Sequence, residues 1–223
     1  MTRHRPEVRG EQHDSGTRSR RGFLALGAGA ALLAGGAVAA MSLTSETRGR
    51  GVGLVTVPPG TRVIEVNLTG GDLELIGIDG QPATGSWSGR VGEGEPGITT
   101  GEVDTTFSIT AHPGVDLTLS VPADVELRVA TTNGDVTGEE LRTERITVQG
   151  SHGDVELEWE VAPVEVSVTT TSGDVSIELP EGSGPNGYAI EADTRNGDLD
   201  VMPSSGSRPI RVRTTNGDIE VSD

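Results

Sequence analysis

Six aspartates close one short phrase that the chain repeats: LTGGD ending at Asp72, TTNGD at Asp135, GSHGD at Asp154, TTSGD at Asp174, TRNGD at Asp198 and TTNGD at Asp218. The last four intervals are 19, 20, 24 and 20 residues. The first is 63 residues, close to three such periods, with no copy of the phrase legible inside it. A row of carboxylates at a fixed interval could hold calcium, which makes Asp135, Asp154, Asp174, Asp198 and Asp218 the candidate metal ligands. Calcium takes six to eight oxygens, however, and one carboxylate per repeat supplies few. Glycine-rich repeats that bind calcium in parallel β-rolls recur every nine residues, whereas these recur near twenty. The favoured reading is that each carboxylate accepts a backbone N–H at its own corner and otherwise meets water.

Other chemistry finds less support. His112 lies in the turn-like AHPG, and His152 stands where other copies have asparagine. Serines are plentiful, yet no G-x-S-x-G elbow joins a strand to a helix pattern. No catalytic residue, cofactor or resident metal is assigned, and the chain is read as a protein that is not an enzyme. Trp87, in a stretch rich in Gly, Pro and Ser, and Tyr188, after the EGSGPNG insertion, are the candidate ligand-contact aromatics. The alternative is that Trp87 caps the first repeats or faces inward and that Tyr188 opens a strand.

The elements that must position these residues are strands. Counted from each aspartate, apolar or small residues fall at minus eight, minus six and minus four, and again at plus one, plus three and plus five. Around Asp174 they are Val166, Val168, Thr170, Val175, Ile177 and Leu179. Alternation on both sides of a corner predicts strand, tight turn, strand, with one face buried. The corner glycines Gly71, Gly134, Gly153, Gly173, Gly197 and Gly217 supply a positive φ. Asn-Gly between alternating strands also fits a chain of antiparallel hairpins. Identical corners at identical places favour a β-solenoid of repeats of about 20 residues, with Asn133, Asn196 and Asn216 in hydrogen-bonded rows. The predicted fold is all-β.

Composition bounds the class. The 223 residues carry 34 acidic and 17 basic side chains, a net charge of −17, 33 glycines, 2% aromatics and no cysteine. Few aromatics leave little for a globular core, whereas narrow stacked repeats are filled by Val, Ile, Leu and Ala. Strong acidity argues against nucleic acid and anionic lipid as direct partners. At the N-terminus SRRGFLALG precedes GAGAALLAGGAVAA. This resembles a twin-arginine signal peptide, with Arg20 and Arg21 as the paired arginines, Phe23 and Leu24 as the hydrophobic pair, and Ala37 and Ala39 as an A-x-A cleavage site. The alternative is an uncleaved anchor, since the apolar stretch is long enough to span a bilayer. The expected organisation is a signal or anchor over 1–40, a linker over 41–52 and the repeat domain over 53–223.

DLTLSVPADVELRVATTNGDV, from Asp116 to Val136, followed by the serial G-D corners, resembles the bacterial putative-adhesin, DUF4097-type β-strand-repeat proteins over about 160 residues. The resemblance implies a β-solenoid-like domain, exported or membrane-tethered, and no reaction. The expected function is an extracytoplasmic envelope module for binding, adhesion or sensing. Its partner would be an envelope protein or polysaccharide, with contact to the membrane only through an uncleaved N-terminal segment. The alternatives are a calcium-assisted carbohydrate-active enzyme and a structural spacer. The last strand ends just after Asp218, which predicts an unpaired C-terminal edge guarded by Asp218, Glu220 and Asp223 in a monomeric protein.

Overall fold

The computed structural model describes residues 50–80, 82–92, 96–180 and 187–223, and each regular element among them is a β-strand. The export motif at Arg20, Arg21, Phe23 and Leu24 and the Ala37–Ala39 site lie outside the described residues. The first described strand, β1 (Arg50–Thr56), begins three residues ahead of the expected domain start.

Seven segments repeat the strand–corner–strand pattern, and each is named here by its aspartate. The Asp72 unit joins β2 (Val63–Leu68) to β3 (Leu73–Ile78), and the Asp116 unit joins β6 (Thr106–Ala111) to β7 (Val115–Pro122). The Asp135 unit is β8 (Glu126–Asn133) and β9 (Val136–Leu141); the Asp154 unit is β10 (Arg145–His152) and β11 (Val155–Trp159). The Asp174 unit is β12 (Glu165–Thr169) and β13 (Val175–Glu178). The Asp198 unit is β14 (Tyr188–Asn196) and β15 (Leu199–Val201), and the Asp218 unit is β16 (Arg208–Asn216) and β17 (Ile219–Ser222). Two further strands, β4 (Thr84–Arg90) and β5 (Ile98–Val103), fall inside the long first interval.

First strands of the units line up in one sheet, β14-β16-β12-β10-β8-β2-β6-β5, and second strands in the other, β1-β4-β7-β3-β9-β11-β13-β17-β15. Neighbouring units pair in parallel, as Ile146 with Val166 on one sheet and Val155 with Val175 on the other. This excludes the chain of hairpins. Among the described residues, antiparallel pairing is confined to β1 with β4, β4 with β7, and β5 with β6. The two strict alternations point Val, Ile and Leu from both sheets into one core, where Ile64, Val66, Leu75, Ile109, Val148, Val166 and Ile177 are fully buried. A parallel arrangement of this kind suits narrow aliphatic side chains, which repeat from unit to unit without needing large rings.

Spatial order departs from chain order at both ends. The units stack as Asp116, Asp72, Asp135, Asp154, Asp174, Asp218, Asp198. The first unit in sequence is thus second in space, and the last in sequence is inserted between Asp174 and Asp198. The expectation of an open C-terminal edge at β17 is therefore wrong: Val221 pairs with Ile177 on one side and with Val201 on the other. Glu220 and Asp223 guard no edge. The outermost strands at that end are β14 and β15.

Candidate functional site

The corners join the units into one column. Six of the seven corner aspartates, Asp198 being the exception, accept through Oδ1 the backbone N–H of the aspartate in the adjacent unit, not one at their own corner as the sequence suggests. Asp116 accepts from Asp72 at 3.1 Å, Asp72 from Asp135 at 3.1 Å, and Asp135 from Asp154 at 2.9 Å. Asp154 accepts from Asp174 at 2.9 Å, Asp174 from Asp218 at 2.9 Å, and Asp218 from Asp198 at 2.8 Å. Asp116 is the member that sequence reasoning missed. Its corner reads HPGVD, so Val115 stands in register where the others have glycine.

Glycine is required at these corners for two reasons together. Gly173 has φ +136°, and a Cβ there would lie 2.0 Å from the carbonyl oxygen of Gly153 in the adjacent unit. The same approach recurs at Gly71, Gly134, Gly153, Gly197 and Gly217. Small residues four positions before the aspartate serve the same junction. Thr194 and Thr214 donate their hydroxyls to the carbonyls of Gly217 and Gly173 of a neighbouring unit. The expected asparagine row forms in part. Asn196 Nδ2 donates to Asn216 Oδ1 at 2.9 Å, whereas His152 and Ser172 separate Asn216 from Asn133.

Both candidate contact aromatics are in the core. Trp87 is 3% exposed and Tyr188 4% exposed. Trp87, on β4, closes one end of the stack between the sheets. Gly51 and Gly53 of β1 and Gly97 lie against its ring so closely that a Cβ on any of them would overlap it. Gly97, at the end of the Gly-, Pro- and Ser-rich stretch around Trp87, and the two glycines of β1 leave the space that the indole occupies. Tyr188 begins β14, with the Arg208 guanidinium 6.0 Å from its ring centre.

The two walls differ in charge. Between β3 and β15 the outer face of the nine-stranded sheet presents Glu74, Glu139, Glu156, Glu158, Glu178, Glu220 and Asp200, and those strands contain no arginine. The eight-stranded sheet interleaves arginines with acids: Arg128 bonds Glu126 at 2.8 Å and Glu65 at 3.2 Å, and Arg211 bonds Glu165 at 3.2 Å. Glu126 chiefly, with Glu65, raises the affinity of the Arg128 guanidinium for its proton. An open depression of about 560 Å³ lies at the starts of β2, β8 and β10, lined by Arg62, Asp124, Glu126, Glu144 and Arg145 among others. Among the described residues, no group of three or more His, Asp or Glu side chains is placed to hold a metal ion; the corner carboxylates form a file, one per unit.

These features define an all-β stack of repeats held by backbone ladders. The family model described as Toastrack DUF4097 matches residues 54–222, and the chain belongs to this family. Among solved structures it is similar to a putative cell adhesion protein from Clostridium sporogenes ATCC 15579, at 14% identity and TM-score 0.58, over 78% of this chain and 99% of that one. It is also similar to a putative adhesin from Bacteroides fragilis NCTC 9343, at 13% identity and TM-score 0.43, over 78% and 98% of the two chains. A putative lipid binding protein from Parabacteroides distasonis ATCC 8503 follows at 8% identity and TM-score 0.26, over 77% and 96%. At such identities the likeness concerns the fold. No curated protein matches the chain.

Proposed function

We propose that the chain is an exported, β-solenoid-like module of the cell envelope that binds, adheres or senses and catalyses no reaction. The observation that carries this reading is the corner column: the carboxylates that recur at the corners are, with the exception of Asp198, engaged in joining unit to unit. Family membership and the fold shared with a protein described as a putative cell adhesion protein support it. The twin-arginine pattern at Arg20 and Arg21, with Ala37 and Ala39 as the cleavage site, supplies the route out of the cytoplasm.

Fractionation of cells making the full chain tests the reading. The chain should be recovered outside the cytoplasm, and Arg20→Lys together with Arg21→Lys should hold it inside. N-terminal sequencing of the exported form should start after Ala39 or Ala40 if the signal is removed. Equal export of the double variant, or calcium-dependent cleavage of envelope polysaccharide by the purified chain, would contradict it.

A further inference from the structure

The two ends of the stack are finished differently. At one end the antiparallel strands β4 and β1 cover β7, β5 covers β6, and Trp87 fills the space between the walls. At the other, the Asp198 unit is outermost on both sheets with no strand beyond it among the described residues. Its inward side chains show this. Ile190, Ala192, Val201 and Met202 are only partly buried and Leu199 is 50% exposed, whereas Ile210, Val212, Ile219 and Val221 of the adjacent unit are 0–1% exposed.

The corner column also stops there with a defined polarity. Asp198 donates its N–H to Asp218, but among the described residues its own carboxylate accepts no backbone N–H. Tyr188 and Asn196 turn their carbonyls toward the neighbouring unit, accepting from Gly206 and Gly217. Strand alternation therefore points the backbone groups of Glu191, Asp193 and Arg195 outward. At its corner the end offers an acceptor, the Asp198 carboxylate, and along β14 it offers the alternating N–H and C=O groups of a strand edge. A chain laid on it in parallel must give an N–H to Asp198 and must be glycine over Gly197, since each corner glycine sits against the carbonyl of the unit before it. The charge it needs is shown by the unit on the inner side: Arg211 reaches Glu191 at 3.6 Å, and Arg213 is in register with Asp193.

A second copy does not meet these demands. Its capped end is closed by antiparallel strands, the Asp198 N–H at its open end is already given to Asp218 and so cannot be offered to another corner, and each copy carries a net charge of −17. We propose that the β14–β15 end receives an arginine-bearing strand–Asn-Gly-Asp–strand unit from a partner protein, added in parallel as a further rung. This deepens the binding-module reading by naming where a partner docks and by what chemistry.

The probe is a labelled peptide, RPIRVRTTNGDIEVSD, which copies residues 208–223. Titrated against the full-length chain, it should bind saturably. Binding should weaken at least about tenfold when glycine in the peptide corner is replaced by valine, or when its second and third arginines become glutamate. On the protein, Asp193→Pro removes an outward N–H without breaking a ladder bond, and Leu199→Glu charges a half-exposed position; each should weaken binding by a similar factor while melting near the wild-type temperature. No saturable binding, or equal binding to wild type, Asp193→Pro and Leu199→Glu, overturns the proposal; the equal case would mean invasion of the stack elsewhere. Self-association of the chain alone that Asp193→Pro abolishes would overturn it in favour of a second copy. Because the titration is done in solution, its failure is distinct from a failure of export.

Discussion

At Gly173 a backbone conformation and a contact make the same demand. With φ at +136° and the Gly153 carbonyl where a Cβ would sit, Gly173→Val meets strain and a clash that neither unit can relieve without separating. The expected cost is about 3 kcal/mol or more, enough to lower the melting temperature by roughly 6–12 °C or to prevent folding. Asp174→Asn keeps an oxygen to accept the Asp218 N–H and should cost about 1 kcal/mol or less. Seven carboxylates in file at about 4.8 Å repel one another by roughly 1 kcal/mol per neighbouring pair in water. Added salt should therefore raise the melting temperature, and Asp174→Asn should reduce that rise. A melting temperature independent of salt between about 20 and 500 mM would contradict the stacked file. The corner glycines were legible in the sequence because their φ is a local property. That the carboxylates from Asp116 to Asp218 in the stack reach an adjacent unit was not, since an Asx-type local bond fits the same letters.

Among the elements, β4 and β1 act as a lid whose fit depends on one indole. Trp87→Ala leaves a space that Gly51, Gly53 and Gly97 have no side chains to fill, so the loss should be about 3–5 kcal/mol. Hydrogen exchange in β1, β4 and β5 should accelerate in that variant while β10 and β12 stay protected; uniform acceleration would show that the end strands are no separate lid. Gly97→Ala, whose new Cβ would lie 2.1 Å from the ring, should perturb the same strands. Strands and inward faces were readable from alternation at Val166, Val168, Val175 and Ile177. A cap by Trp87 was one of the two readings the sequence offered, but the strands β4 and β5 were not legible, because the glycines around them carry the composition of a loop and these strands run against the repeat. Asp116 escaped for a related reason: Val115 takes the glycine place, and the 63-residue interval holds one further unit plus β4 and β5 rather than two plain repeats.

For the whole molecule, what matters is the order in which the units stack. Backbone ladders are nearly blind to sequence, so any unit edge can accept any other, and periodicity alone implies chain order. The structure instead inserts the final unit between the Asp174 and Asp198 units, which turns β14 and β15 into the free end on which the docking proposal rests. A chain without cysteine allows this to be read directly by engineered cross-links. Ser172 pairs in register with Asn216, with their side-chain atoms 3.5 Å apart, and Asn196 lies one unit further on. Under mild oxidation the Ser172→Cys, Asn216→Cys variant should form a disulfide in high yield, since aligned neighbours lie within disulfide reach. The Ser172→Cys, Asn196→Cys variant should not, because those positions are two rungs, about 9.6 Å, apart. The reverse outcome, 172 bonding to 196 and not to 216, would mean that the units stack in chain order and that the C-terminal strand is the open edge after all.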